Sequence, residues 1–180
     1  MDKTALYKIS YGLYVIGVRV AAGVTGQAGG GDAAQSSPPG AFGGCVVDAF
    51  IQSTDAPATA ILCSMKRSLT NALIKAERCF TVSVLPEEAD PFVIANFGLQ
   101  SARVADKWAR VETDWHDGLP ALRCACAGIR LRMTDARELS THTVFFCDVE
   151  DAWQGGGAPL LYATYQREIK GKMMAMRGGG

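Results

Sequence analysis

The chain is poor in the features that usually announce a chemistry. It has only two histidines, His116 and His142. Lys and Arg number 18 against 18 Asp and Glu, so the formal net charge is zero. That balance argues for neither a nucleic-acid partner nor a charged membrane surface. No apolar run approaches the roughly 20 residues that span a bilayer. Asp2 and Lys3 lead into mixed polar residues rather than a secretion signal, so the expected compartment is cytoplasmic. Six cysteines are present (Cys45, Cys63, Cys79, Cys124, Cys126 and Cys147) and none falls in a C-x-x-C. Cys124-Ala-Cys126 lacks the spacing of a redox or zinc pair, and no metal is expected. Most of the cysteines lie in apolar strand-like runs and read as small buried hydrophobes of a reducing compartment. No G-x-G-x-x-G joins a strand to a helix, which excludes a Rossmann nicotinamide domain. No nucleophile with a base and no acid–base pair stands out, so no catalytic side chain is expected.

What is present is ordinary in bulk. The chain has 180 residues, 48% hydrophobic and 20% charged, which suits one folded domain. Residues 1–172 are expected to form it. Residues 23–43 are rich in Gly, Ala, Ser and Pro and read as a flexible insertion. Residues 173–180, with three terminal glycines, read as a disordered tail.

Residues 11–20 are apolar on both faces and predict a strand buried on both sides. Residues 44–52 read as one strand, 53–57 as a turn and 59–63 as the next strand. Leu69, Ala72, Leu73 and Ala76 fall at helical spacing behind Ser68 or Thr70 as N-cap, which predicts a helix of about two turns. Residues 79–85 read as a strand. Asp90-Pro91 opens a second helix with a cap and a proline at its first position, and Gly98 stops it. Residues 115–120 read as a polar turn. Residues 122–133 read as a long strand whose apolar parity switches at Gly128, which predicts a bulge there. Residues 143–149 and 159–165 supply the last strands. Six or seven strands with short helices between them argue a mainly β fold, a closed or nearly closed barrel.

One corner carries chemical interest. Ser64, Lys66, Arg67, Ser68 and Thr70 cluster just before the first helix. A helix N-terminus offers free N–H groups and a partial positive charge. Two cations and several hydroxyls beside it are what a phosphate monoester needs. The same residues also make a capped helix with two solvated cations. Likewise Ser101, Arg103 and Lys107 read as a solvated face, and His142 as a strand residue with a satisfied hydrogen bond.

Several blocks in order resemble the flavin reductase-like, FMN-binding split-barrel family, particularly its flavoredoxin-type branch. They are Leu6-Tyr7-Lys8-Ile9-Ser10-Tyr11-Gly12-Leu13-Tyr14-Val15-Ile16, the stretch 43–74, Phe80-Thr81-Val82-Ser83-Val84-Leu85, Asn96-Phe97-Gly98-Leu99-Gln100-Ser101, Thr141-His142-Thr143-Val144-Phe145 and Ile169-Lys170-Gly171-Lys172. Each is weak alone, and the ordered set is fairly specific. The resemblance implies a Greek-key-type split barrel with a few short helices, FMN as cofactor and NAD(P)H as co-substrate. It implies electron transfer from NAD(P)H through flavin to free flavin or a separate redox partner. The alternative within the branch is a non-enzymatic FMN electron carrier. Asp48, Ala49, Phe50, Ile51 and Gln52 become the wall beside the flavin ring. Ser64, Lys66, Arg67, Ser68 and Thr70 become its phosphate corner. Ser101 and Arg103 lie beside the flavin, while Lys107 and His142 face flavin or nicotinamide. A homodimer with flavin near the subunit interface is implied as well. Asp48 departs from the family's pattern, standing where relatives often carry Asn.

Overall fold

The computed structural model describes residues 1–21, 24, 41–101, 103 and 105–171. The insertion expected over 23–43 lies outside the described residues except at 24 and 41–43, and the tail expected over 173–180 lies outside them entirely. Nine strands and two principal helices follow in order: β1 (Tyr14–Arg19), β2 (Phe42–Val47), β3 (Phe50–Thr54), β4 (Thr59–Met65), α1 (Leu69–Glu77), β5 (Cys79–Val84), α2 (Pro91–Gly98), β6 (Thr113–His116), β7 (Leu119–Leu122), β8 (Ala127–Glu138) and β9 (His142–Gln154). Seven of them form one sheet in the order β2-β1-β5-β8-β9-β4-β3, and β6 with β7 makes a separate hairpin. Every pairing is antiparallel.

The single strand expected over 44–52 is two strands. β2 pairs with β1 at one edge of the sheet and β3 pairs with β4 at the other. One ladder cannot serve both edges, so the run breaks at Asp48 and Ala49. This break sets the architecture. From Val47 to Phe50 the chain makes three Cα steps, at most about 11 Å. The sheet must therefore roll until its two edges lie side by side. β2 and β3 share no ladder, so the roll stays unclosed. The fold is a mainly β split barrel.

Two apolar cores lie on opposite faces of β1, which is buried on both sides as its pattern predicts. Ile16 and Val18 join Phe80, Val82, Leu131 and Phe145 inside the barrel, where Leu69, Leu73 and Ile74 of α1 plug the end. Val15 joins Leu85, Ile94, Phe97, Trp108 and Leu122 under α2. On the Val15 face Gly17 has Pro120, Thr81 and Trp108 around it.

Several sequence expectations are corrected. Residues 115–120 are the heart of the β6–β7 hairpin. Asp117 at φ 53° and Gly118 at φ 73° make the two-residue turn between His116 and Leu119, the primed turn that an Asp-Gly pair favours. β8 starts at Ala127, since Leu122 belongs to β7. Its register shifts fall between Arg130 and Leu131 and between Met133 and Asp135, away from Gly128. Gly128 instead lies opposite Trp153, where any Cβ would press on the indole. The strand expected over 159–165 is reduced to single bridges, Pro86 with Pro159 and Gly12 with Leu161. Pro159 has no N–H to extend a ladder. The chain then turns helical, as an α-turn at Tyr162–Thr164 and a π-turn at Tyr165–Ile169. α2 does stop at Gly98 as its sequence predicts, with Leu99 as the cap. Of the cysteines only Cys147 is buried, and Cys124 is exposed. Burial pushes the Cys147 thiol up to about 12.

Candidate functional site

β2 forms the floor of a cavity of about 590 Å³ between α1 and α2. That volume is of the size of small-molecule sites. The residues of β2 facing it are Gly44 to Val47, followed by Asp48 at the corner. One bank is the β4–α1 corner, with Cys63, Ser64, Met65 and Arg67 through Thr70. The other bank holds Ile94 and residues 97–101 from α2 and its exit, then Arg103 and Lys107. His142 reaches in from the start of β9, and Tyr162, Tyr165, Gln166 and Lys170 from the C-terminal helical segment.

The sequence-predicted residues divide accordingly. Asp48, Ser64, Arg67, Ser68, Thr70, Ser101, Arg103, Lys107 and His142 share this one cavity. Ala49, Phe50, Ile51, Gln52 and Lys66 do not line it. The chain has already crossed to the far edge of the sheet at Ala49. Ile51 and Gln52 sit on exposed β3, and the Phe50 ring packs edge-on against Tyr14 at 5.3 Å. Lys66 is held by Glu138 at 3.2 Å and donates to the Leu139 carbonyl at 3.1 Å. Lys75 and then Lys66 hold the Glu138 carboxyl down at about 2.

The phosphate corner has spare hydrogen-bonding capacity. Ser68 is the backbone N-cap of α1, yet its side chain makes no capping bond. Ser64 is 2% exposed, and its Oγ has no hydrogen-bond partner. An orphaned hydroxyl of this kind costs about 1–3 kcal/mol unless something fills it. Thr70, in the first turn of α1, is buried. Burial pushes the Cys45 thiol up, while the Thr70 hydroxyl, the Lys107 ammonium and the Ser68 hydroxyl beside it work the other way. Asn71 fixes the corner in place. Its Nδ2 donates to the Ser64 carbonyl at 3.2 Å, and its Oδ1 accepts from Thr143 Oγ1 at 3.4 Å. His142 pairs with Met65 across the ladder, and its Nδ1 lies 2.8 Å from Thr141 Oγ1.

Lys107 overturns the solvated reading of its segment. It is 3% exposed, and its Nζ donates to the Gly44 carbonyl at 3.0 Å and the Phe97 carbonyl at 3.1 Å. It clamps β2 to the end of α2. Burial lowers it from an ordinary lysine's 10.5 to about 8. The folded state therefore releases this proton before the unfolded chain does. Its burial penalty is present below pH 8 and is relieved as pH rises towards 10.5. Against a Lys107→Met variant, the wild-type chain should gain relative stability across that window. Urea unfolding of both proteins at about pH 8 and about pH 10 measures this. A difference that does not change with pH would show that burial leaves the ammonium unpenalised.

Sequence reasoning missed Gly44 to Val47 as the floor, and Cys45 with them. It also missed Tyr162 and Tyr165, which fall in the strand expected over 159–165, and Gln166 just beyond it. Lys170 stood in a quoted family block without being counted in the site. Among the described residues no cluster of His, Cys, Asp and Glu could hold a metal, and no helix is long and apolar enough to cross a membrane.

The model of the flavin reductase like domain matches residues 6–170. The chain belongs to the flavin reductase-like domain family. Membership makes it a flavin reductase-like oxidoreductase. It is 31% identical over 174 residues to the high molecular weight rubredoxin of Moorella thermoacetica, covering 95% of this chain and 68% of that one. It is 30% identical over 175 residues to the ferric-chelate reductase (NAD(P)H) of Archaeoglobus fulgidus, covering 96% and 93%. Among solved structures, the styrene monooxygenase flavin reductase of Pseudomonas putida S12 superposes with a TM-score of 0.68 at 20% identity, covering 90% and 92%. That likeness establishes the shared fold.

Proposed function

We propose that this flavin reductase-like chain binds FMN in the β2 cavity and passes electrons from NAD(P)H through it to free flavin or a separate redox partner. The observation that carries the reading is the orphaned Ser64 hydroxyl beside an α1 N-terminus whose N-cap side chain makes no capping bond. Both have donors available for an anionic oxygen, and Arg67 adds a planar fork. When bound, the flavin supplies the two-electron chemistry, and the protein supplies binding, orientation and exclusion of water. The β2 backbone would lie along the ring. Ser64, Arg67, Ser68 and Thr70 would hold the phosphate. His142 lines the same cavity with one nitrogen engaged by Thr141 and would present the other to a carboxamide or to developing negative charge. The NAD(P)H-dependent relative named above supports a pyridine nucleotide as donor.

An absorption spectrum of the purified protein after addition of FMN is the first test. A colourless protein that takes up no FMN would end this reading. Anaerobic mixing with NADH and NADPH is the second. Rapid bleaching of the bound flavin supports the reductase, and a flavin left oxidised supports the electron carrier.

We also infer a homodimer. Ile51, Ile61 and Phe146 lie in one cross-strand row on the outer face of β3, β4 and β9, and Ile51 is 63% exposed. Cys63 and Met65 continue that face of β4 and also line the cavity. A second copy seated there would border the flavin. Ile51→Glu combined with Phe146→Glu should convert the dimer to a folded monomer, read by light scattering. A wild-type chain that is already monomeric would overturn the inference.

A further inference from the structure

Asp48 brings a negative charge into a cavity otherwise suited to anions. It stands just past the end of β2, half-buried, on the wall of the β2 cavity. Among the described residues it is the one carboxylate lining that cavity, and no ion pair engages it. The backbone fixes its place. The Asp48 carbonyl accepts from the Phe50 N–H at 3.2 Å, and the Ala49 carbonyl accepts from the Cys63 N–H at 2.8 Å. The charge is felt across the cavity wall. Burial first, and then the Asp48 carboxylate, push the Cys63 thiol up, and Cys63 lines the same cavity.

The cations of the cavity stand elsewhere. Lys107 is bonded at the Gly44 carbonyl, four residues and about 13 Å back along the strand. Arg67 lies before α1, Arg103 after α2 and Lys170 in the C-terminal helical segment. A half-buried charge without a partner acts on whatever shares its space, because little water screens it.

Charge conservation says what it would act on. An oxidised isoalloxazine ring is neutral. A hydride from a reduced pyridine nucleotide brings it two electrons and one proton, and the nucleotide leaves with its nicotinamide oxidised to the cation. The ring is then an anion until a second proton arrives from solvent. The phosphate end carries the same charge before and after. Resting on the FMN reading above, we propose that the Asp48 charge opposes the negative charge gained on reduction, so that the cavity loosens its hold on flavin once it is reduced. Asp48 thereby works against His142, which lines the same cavity. The balance favours giving the electrons up, which suits a chain that passes them on.

One charge facing another at the edge of a protein changes an equilibrium constant about tenfold or more. For a two-electron couple tenfold is about 30 mV. The test uses the full chain as wild type, Asp48→Asn, Asp48→Ser and Arg67→Ala. Affinity is measured for oxidised FMN by flavin fluorescence and for dithionite-reduced FMN by anaerobic calorimetry. The midpoint potential of the bound flavin is read by spectroelectrochemical titration. Uptake of oxidised FMN shows that each variant keeps its cavity. Both Asp48 variants should favour reduced over oxidised FMN about tenfold more than wild type, with a midpoint about 30 mV higher. Arg67→Ala should weaken both states alike and leave the midpoint in place. An unmoved midpoint overturns the proposal. So does a lower one, which would mean that the carboxylate accepts an N–H of the reduced ring. Should the wild-type chain take up no FMN, the flavin reading fails on its own. The pH profile of iodoacetamide alkylation at Cys63, followed by mass spectrometry, then decides whether the Asp48 charge reaches the cavity. A profile that moves to lower pH in Asp48→Asn supports that field, and an unchanged one overturns it.

Discussion

Replacing Arg67 with alanine should weaken the proposed FMN binding by about one to two orders of magnitude and leave the fold intact. The size follows from a charged hydrogen bond to phosphate, about 1.5–3 kcal/mol. The sparing of the fold follows from position. Arg67 is exposed, and no ion pair engages it among the described residues. The neighbouring cation supplies the control. Lys66 stands only one residue further from the helix, yet it is occupied by Glu138 and the Leu139 carbonyl. Lys66→Ala should change FMN affinity less than about threefold, within the small worth of an exposed ion pair. Fluorescence titration at low and high salt measures both, and the Arg67 effect should shrink as salt screens it. Equal losses for the two variants would mean that the phosphate lies elsewhere.

A Gly17→Ala substitution should lower stability by about 3 kcal/mol. Gly17 sits mid-strand in β1, paired with Gly44 on one side and Thr81 on the other. A Cβ there would drive into the Pro120 carbonyl oxygen and approach Thr81 Oγ1 at 2.6 Å and the Trp108 ring at 3.0 Å. None of the three can step aside cheaply. The Pro120 oxygen accepts a hydrogen bond from Thr81 Oγ1 at 2.5 Å, and the Trp108 indole donates to the Gly43 carbonyl at 3.0 Å. Overpacking against fixed neighbours costs about 1–3 kcal/mol or somewhat more. For a chain of this size about 3 kcal/mol is a fall of about 6–12 °C in Tm. A urea midpoint within error of wild type would show that the β7 hairpin swings away freely.

The two predictions draw on different parts of what the sequence discloses. The α1 corner was readable because helix signals are local. Ser68 before Leu69, Leu73 and Ile74 needs nothing distant to be recognised. The α2 cap was readable for the same reason, and Asp90 Oδ1 does accept from the Phe92 N–H at 2.8 Å. The barrel class came through the count and composition of strand runs. Strand ends came through poorly. Residues 44–52 look continuous because both halves are apolar, and only the pairing partners reveal the break at Asp48. Lys107 was unreadable on principle. Its burial depends on two carbonyls that lie 63 and 10 residues away. The turn at Asp117-Gly118 is legible within 115–120, while the short strands flanking it are not. The helical turns after Leu161 were hidden by an apolar run that serves two roles, with Leu160 buried and Leu161 exposed.

The bridge of Asp48 and Ala49 has a mechanical consequence. It is a two-residue hinge pin across a seam that no ladder closes. The floor of the cavity ends at one side of that pin, and the face offered to a second subunit begins at the other. In the proposed dimer, a guest in the cavity and a second copy on β3 would bear on opposite ends of the same pair of peptide units.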